Sequence, residues 1–222
     1  MIITIDGYAG SGKSSAARGL ADALGFELLN TGAMYRAAGL ALQAAGYDIY
    51  ANPPDLARIA ELVAGYTFDM SDGKTVLNGV DYTERLQEPG AGAAASRVGL
   101  FPPVRERLKA EQRRIAADRD IICEGRDQGT AVFPDAAVKF FFKATVDVRA
   151  KRRYDELVKK REAADLAEIA VRIKNRDEQD ETRPIDPLRQ PDGAEPIDTS
   201  DLTPRDVLER MTKVVGACRT RG

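Results

Sequence analysis

Short apolar runs alternate with longer amphipathic stretches along most of the chain. Residues 2–5, 121–123 and 138–142 are rich in β-branched or aromatic side chains, as are strands buried inside a parallel sheet. Two more strands are predicted at 26–30 and 195–199. Helices are predicted at 14–24, 33–45, 53–64, 91–100, 104–117, 147–160, 163–181 and 204–216. Strands that alternate with helices predict an α/β fold, a parallel β-sheet core flanked by helices.

Residues 66–86 depart from this alternation. Three short strand-like pieces at 66–69, 74–77 and 80–82 are joined by turn residues, among them Asn78-Gly79. An Asn-Gly pair between two such pieces is a strong hairpin signal, because both residues tolerate positive φ. This stretch is therefore predicted to form a small antiparallel insertion outside the parallel sheet.

A phosphate-binding loop follows the first strand directly. Residues 7–14 read Gly-Tyr-Ala-Gly-Ser-Gly-Lys-Ser, which is the G-x-x-x-x-G-K-S pattern, and a helix is predicted immediately after it. The glycines let backbone N–H groups approach an anion, and the helix N-terminus adds its positive dipole end. Lys13 would contact the outer phosphates and the Ser14 hydroxyl could bind Mg²⁺. A glycine-rich turn that binds nothing is the simpler alternative, but strand, spacing and helix together predict a nucleoside triphosphate site.

Arginines recur after the predicted strands. Arg36 follows the second strand and Arg126 follows the strand at 120–124, so both should lie at the sheet edge where βα connections place ligands. Arg149, Arg152 and Arg153 form a third basic group on a charged helix. Such a group is often only a solvated face, but phosphoryl transfer also needs cations that follow the moving charge and exclude water. The polar segment up to residue 183 is therefore a candidate lid.

Composition narrows the possible chemistry. The 222 residues include no histidine, which excludes Ser-His-Asp and Cys-His hydrolases. A net charge of -2 and an aromatic content of 6% argue against a nucleic-acid partner. Cys123 and Cys218 do not have the spacing of metal ligands, and Cys123 is predicted to be a core residue. No apolar run is long enough to span a bilayer and residue 1 already starts the first strand, so we expect a cytoplasmic protein without a membrane segment. We also expect it to be a monomer.

Several motifs together resemble the bacterial cytidylate kinase family. They occupy residues 7–14, 30–36, 95–98, 101–105, 124–135 and 176–183, in the family's order and over nearly the whole chain. The stretch Glu-Gly-Arg-Asp-x-Gly-Thr-x-Val-Phe-Pro-Asp at 124–135 is far more specific than the phosphate loop. Glu124 stands where the family commonly has Asp.

The resemblance implies transfer of the ATP γ-phosphoryl group to CMP or dCMP with Mg²⁺. It implies ATP binding by Gly7, Tyr8, Ala9, Gly10, Ser11, Gly12, Lys13, Ser14, Ser15, Arg149 and Arg152. It implies CMP binding by Thr31, Tyr35, Arg36, Ser96, Arg105, Arg126, Asp127, Arg176, Asp180 and Arg183. The residues implied in catalysis are Lys13, Arg126, Arg153 and Arg183, and Mg²⁺ would be held by Ser14, with Glu124 acting through water.

The resemblance also implies a single domain, 1–222, in three parts. The core would comprise 1–35, 91–150 and 184–222, the monophosphate-binding region with its insertion about 36–90, and the lid about 150–183. Two alternatives stay open at this point. One is another kinase of the same fold, acting on UMP and CMP or on a non-nucleotide acceptor. The other is a regulatory NTPase, although no Asn-Lys-x-Asp guanine-reading motif occurs.

Overall fold

The computed structural model describes residues 1–219, which fall into two units. The core unit contains Met1–Leu28 and the chain from Asp118 onwards, and the insert unit is Leu29–Ala117. The strands are β1 Ile2–Gly7, β2 Glu27–Asn30, β3 Phe68–Asp69, β4 Val76–Leu77, β5 Val80–Asp81, β6 Ile121–Glu124, β7 Val138–Lys143 and β8 Glu195–Asp198. The helices are α1 Lys13–Leu24, α2 Thr31–Ala44, α3 Leu56–Val63, α4 Ala91–Val98, α5 Pro102–Ala116, α6 Val146–Lys159, α7 Leu166–Thr182 and α8 Pro204–Arg219.

A five-stranded sheet has the strand order β2-β6-β1-β7-β8, and four of its strands lie wholly in the core unit. β1 pairs in parallel with β6 and β7, and β7 pairs in parallel with β8. The register sets Ile5 opposite Glu124 and Gly7 opposite Phe142. Because parallel strands end at one edge of the sheet, the segments that follow β1, β6 and β7 emerge together there.

The core of this unit is aliphatic and aromatic. Ile3 and Ile5 of β1 are completely buried, as are Phe140 and Phe142 of β7, and Met211 of α8 packs in the same cluster. Burying each such side chain contributes about 1.5–3 kcal/mol relative to exposure. This packing holds β1 rigidly behind the loop that follows it. Cys123 of β6 is also fully buried, as its apolar neighbours predicted.

The insert unit combines helices α2 to α5 with a small antiparallel sheet in the order β3-β4-β5. Asn78 and Gly79 connect β4 to β5 with φ values of 51° and 80°, as a two-residue hairpin requires. In α5 the buried Glu111 accepts the Phe68 N–H at 2.8 Å and pairs with Arg114 at 2.8 Å, which ties this sheet to the helix. The antiparallel insertion is therefore confirmed, with shorter strands than predicted.

Helix starts are where the sequence prediction erred most. α2 begins at Thr31, two residues earlier than its apolar pattern suggested, because the Asn30 side chain caps it by accepting the Ala33 N–H at 3.1 Å. Thr31, which the predicted helix at 33–45 left outside, is the first residue of α2. α3 begins at Leu56 with Asp55 as its cap, so the preceding prolines lie outside the helix. A side-chain acceptor decides each start, as expected for N-caps.

Candidate functional site

The phosphate loop between β1 and α1 has a backbone that only its glycines permit. Gly7 has a φ of 140°, and a Cβ there would lie 2.1 Å from the Phe142 carbonyl oxygen. Gly12 has a φ of 87° and stands directly before α1. The first N–H groups of α1 have no partner within the helix, so they point toward the loop with the positive dipole end behind them. This arrangement suits a bound phosphate.

Lys13 lies inside this loop rather than on its surface. Its side chain is only 3% exposed, and Nζ donates to the Tyr8 carbonyl oxygen at 2.5 Å. Burial lowers the pKa of Lys13 well below its usual value, the nearby charge of Arg126 lowers it further, and Glu124 opposes the shift. A phosphate bound in the loop would oppose this shift and favour the charged ammonium.

Ser14 and Glu124 form an oxygen pair beside the loop. The Ser14 hydroxyl donates to Glu124 Oε2 at 3.0 Å, since β6 ends next to the first turn of α1. A hydroxyl and a carboxylate are hard oxygen donors of the kind that Mg²⁺ prefers. Within residues 1–219 no cluster of three or more acidic, cysteine or histidine side chains could hold a metal by itself. The pair fits an ion that takes its remaining ligands from phosphates and water.

Asp6, which the sequence analysis passed over, anchors the segment after β6. Its carboxylate is completely buried and accepts the N–H of Gln128 at 2.8 Å and of Gly129 at 2.7 Å. Burial raises the pKa of Asp6 to about 7 against the effect of these two hydrogen bonds. Gln128 opens a π-helical turn directly after Arg126 and Asp127, so Asp6 fixes where those two side chains start.

Four of the predicted CMP-binding residues form one cluster in the core unit, three of them buried and Arg126 half-buried. Arg126 Nε pairs with Asp180 Oδ2 at 3.1 Å. Arg183 lies 3.8 Å from Asp180 Oδ1 and 3.7 Å from Asp127 Oδ1. Arg176 occupies α7 one turn before Asp180 and is half-buried. Two guanidinium groups and two carboxylates thus meet on the sheet edge, although 54 residues separate Arg126 from Asp180.

The three predicted lid arginines have different surroundings. Arg149 is buried, pairs with Asp177 at 2.7 Å and donates to the Ala9 carbonyl at 3.2 Å. Arg152 donates to both the hydroxyl and the carbonyl of Thr199. Arg153 is half exposed and pairs with Glu156 on the surface of α6. The structure thus brings Arg149 to the phosphate loop and leaves Arg153 on the surface.

The predicted residues of the insert unit lie on three of its helices. Arg105 of α5 is 1% exposed, donates to the Gly99 carbonyl at 3.2 Å and lies 5.8 Å from the centre of the Tyr35 ring. Thr31 is buried at the start of α2, whereas Arg36 in the second turn of α2 and Ser96 in α4 are half-buried. The structure therefore brings Tyr35 and Arg105 together within this unit.

Thr199 is a second residue that sequence reasoning missed. It is buried after β8, and its hydroxyl donates to the Ser11 carbonyl at 2.9 Å across 188 residues. The same hydroxyl accepts from Arg152 at 3.0 Å. No local pattern distinguishes it from other threonines, whereas Asp6 could have been noticed as a charged residue inside an apolar strand next to a glycine loop.

A parallel α/β sheet whose first strand leads through a glycine-rich Lys-Ser loop into a helix defines the P-loop class of nucleotide-binding proteins. The family model described as "Cytidylate kinase" matches residues 3–217. The chain belongs to the cytidylate kinase family, as its motifs predicted.

Individual relatives agree with this assignment. A protein named cytidylate kinase from Nitratidesulfovibrio vulgaris strain DP4 is 43% identical over 205 residues, which cover 90% of this chain and 86% of the relative. One from Caldanaerobacter subterraneus subsp. tengcongensis is 40% identical over 213 residues, 96% of this chain and 93% of the relative. The crystal structure of an uncharacterized protein from Eubacterium ventriosum ATCC 27560 shares the fold, with a TM-score of 0.53 and 14% sequence identity. The superposition covers 97% of this chain and 98% of that protein.

Within residues 1–219 no helix combines the length and the apolar character needed to cross a bilayer.

Proposed function

We propose that this chain transfers the γ-phosphoryl group of ATP to CMP and dCMP, giving ADP with CDP or dCDP. The match to the cytidylate kinase model over residues 3–217 carries the proposal, together with relatives of that name at about 40% identity. The core unit supports it independently, because a phosphate loop and an arginine–aspartate cluster end at the same edge of one sheet. A kinase needs a site for each of its two substrates.

ATP is proposed to bind through the loop and the first turn of α1. The backbone N–H groups of residues 7–15 would surround the β-phosphate and Lys13 would neutralise the outer phosphates. Ser14, with Glu124 behind it, would hold Mg²⁺ on the phosphate oxygens. The ion, when bound, neutralises charge that develops on those oxygens during transfer.

CMP is proposed to bind through the arginine–aspartate cluster and the residues predicted in the insert unit. Arg36, Arg126 and Arg183 would hold its phosphate, with Thr31 and Tyr35 beside them, and Arg176 and Asp180 would contact the sugar. Cytosine presents an exocyclic amine donor beside carbonyl and ring-nitrogen acceptors, which a carboxylate, a hydroxyl and a guanidinium can match. Asp127, Ser96 and Arg105 supply these three groups.

The proposed chemistry is direct in-line attack by a CMP phosphate oxygen on the γ-phosphorus. The second pKa of a phosphate monoester is about 6, so the attacking oxygen is ionised near neutral pH and needs no general base. Positioning and charge stabilisation then supply the rate enhancement, for which Lys13, Arg126 and Arg183 are the proposed groups. Arg153 is proposed to join them from the lid.

An acceptor panel with coupled ADP detection tests the proposal. Purified protein with Mg-ATP should phosphorylate CMP and dCMP much faster than UMP, AMP or any non-nucleotide acceptor. Turnover of CMP no faster than that of UMP or AMP would overturn the proposal. A rate of ADP release that does not depend on CMP would indicate a regulatory NTPase instead. We further propose that the enzyme is a monomer acting on free nucleotides in the cytoplasm, which size-exclusion chromatography and cell fractionation can check.

A further inference from the structure

Two neighbouring residues of the phosphate loop are tied to one face of α7. The Tyr8 hydroxyl donates to Glu181 Oε1 at 2.6 Å. The Ala9 carbonyl accepts from Arg149, whose guanidinium also pairs with Asp177 at 2.7 Å. Asp177 and Glu181 are four residues apart on the helix and therefore lie one above the other. We call these contacts of Tyr8, Arg149, Asp177 and Glu181 the strap.

The Tyr8 side chain is held so that its hydroxyl must point at α7. Its ring meets Phe141 edge to face, with centroids 6.0 Å apart at 69°, and packs on the small cluster that includes Leu188. The Arg149 guanidinium lies 5.2 Å from the centre of the Tyr8 ring. Burial and the bond to Glu181 raise the pKa of Tyr8 to about 12, so the hydroxyl stays a donor at neutral pH.

Polar contacts join α7 to the loop here. An open groove of about 490 Å³ lies beside these contacts, and the four strap residues line it together with Lys143 and Lys174. Displacement of α7 from the loop would break the Tyr8 hydrogen bond and the Arg149 ion pair. The strap is thus the mechanical link between the two elements.

The same helix also carries the acceptor cluster. Asp180 pairs with Arg126, and Arg183 caps the C-terminal end of α7. Asp180 stands between Asp177 and Glu181 in sequence, so any shift of α7 at the strap also moves Asp180 relative to Arg126. One rigid element therefore reaches both the loop and the cluster.

We propose that Tyr8 is a positioning residue which, through Glu181, couples triphosphate binding at the loop to CMP binding at the cluster. The inference rests on the proposed function, because it takes ATP and CMP as the two ligands. A ligand that orders the loop orders α7 through the strap, so the second ligand meets a helix already in place and binds more tightly. Linkage requires the same factor in both directions.

The experiment measures the Kd of CMP by calorimetry with and without a non-hydrolysable ATP analogue and Mg²⁺. The wild-type chain should bind CMP at least about 5-fold more tightly with the analogue, the low end of ordinary allosteric coupling. Tyr8→Phe keeps the ring packing and removes only the donor, and Glu181→Gln weakens the acceptor. Each variant should reduce the factor to below about 2, and the double variant should lose no more, because both remove one contact.

Glu178→Gln is the matched control, since Glu178 lines the same groove on α7 but has no part in the strap. It should keep the wild-type factor. Coupling that survives in Tyr8→Phe and Glu181→Gln, or that is missing from the wild type, would overturn the inference. The acceptor panel measures turnover separately, so either result leaves the proposed function standing. If the panel selects another acceptor, the coupling is measured with that acceptor and the proposed function alone fails.

Discussion

The phosphate loop and the arginine–aspartate cluster solve the problem of binding phosphate in opposite ways. The loop is local: Ser11 N–H and Lys13 Nζ both donate to the Tyr8 carbonyl, and its shape depends on its own glycines. The cluster is non-local, since Arg126, Asp127 and the C-terminal end of α7 meet only after the sheet and helices have formed. A short consecutive motif can specify the first kind of site, whereas only topology can assemble the second.

Their electrostatics differ as well. In the loop, burial and the nearby Arg126 lower the pKa of Lys13, and the phosphates of a bound polyanion would favour its charged form. In the cluster, two carboxylates already partner the two arginines, which keeps them in place but reduces their net charge. The loop is therefore suited to binding a highly charged phosphate chain. The cluster instead holds its charged groups in fixed positions, and fixed positions distinguish one acceptor from another.

The largest expected effect is at the loop. Lys13→Ala should lower kcat by about 10²–10³-fold, the range for removing one group that stabilises transition-state charge. The melting temperature should stay equal or rise, because the substitution removes a buried charge. Steady-state kinetics and thermal melting check the two halves. Lys151→Ala, an exposed lysine paired with Asp155, is the control and should keep normal turnover.

Asp6 joins the two regions, and its titration should show in the stability of the fold. Its folded pKa of about 7 exceeds the ordinary 3.8, so the folded state binds the proton more tightly than the unfolded state. Stability should therefore fall as pH rises from about 4 to about 7 and level off above, by a few kcal/mol at about 1.4 kcal/mol for each pKa unit.

Urea unfolding of the wild type and of Asp6→Asn at several pH values measures this dependence. The asparagine variant does not titrate at this position, so the difference in unfolding free energy between the two proteins isolates Asp6 from the other carboxylates. A difference that stays constant from pH 4 to pH 8 would contradict the assignment.

At the cluster, Asp180→Asn should raise the KM for CMP by about 10–100-fold, which corresponds to losing a charged hydrogen bond of about 1.5–3 kcal/mol. The KM for ATP should change little if the cluster does not contribute to ATP binding at the loop. Glu168→Gln removes an exposed ion pair of the same helix and should change neither constant. Equal losses for both substrates would show that the two regions act as one.

The smallest effect is expected at Thr199, whose hydroxyl supports the phosphate loop. Thr199→Val removes the hydroxyl between Ser11 and Arg152, and should cost about 1 kcal/mol of stability with a small rise in the KM for ATP. Chemical denaturation and ATP kinetics measure both. Thr212→Val deletes an exposed hydroxyl that bonds only its own helix, and should leave the KM for ATP unaltered.

How much of the site can be predicted from the sequence depends on how far apart its residues lie along the chain. The residues of the loop are consecutive, so their spacing alone indicated triphosphate binding, and the 124–135 motif indicated the family. Arg126, Asp127, Asp180 and Arg183 were predicted from the resemblance, yet their mutual pairing is visible only in the structure. Arg149 is buried against the loop and Arg153 lies on the surface, but both belong to one predicted helix, and its sequence did not reveal this difference.

The sequence by itself determined the parallel α/β architecture, the antiparallel insertion and the phosphate loop, because each depends on hydrophobic period, turn residues or glycine spacing within a few positions. Only the tertiary structure decided which side chains support the site. Asp6 accepts from the Gln128 and Gly129 amides, Thr199 donates to the Ser11 carbonyl, and Tyr8 donates to Glu181. Each support joins residues more than 100 positions apart. Such pairs have no local signature, since what selects them is which strand lies beside which in the folded sheet.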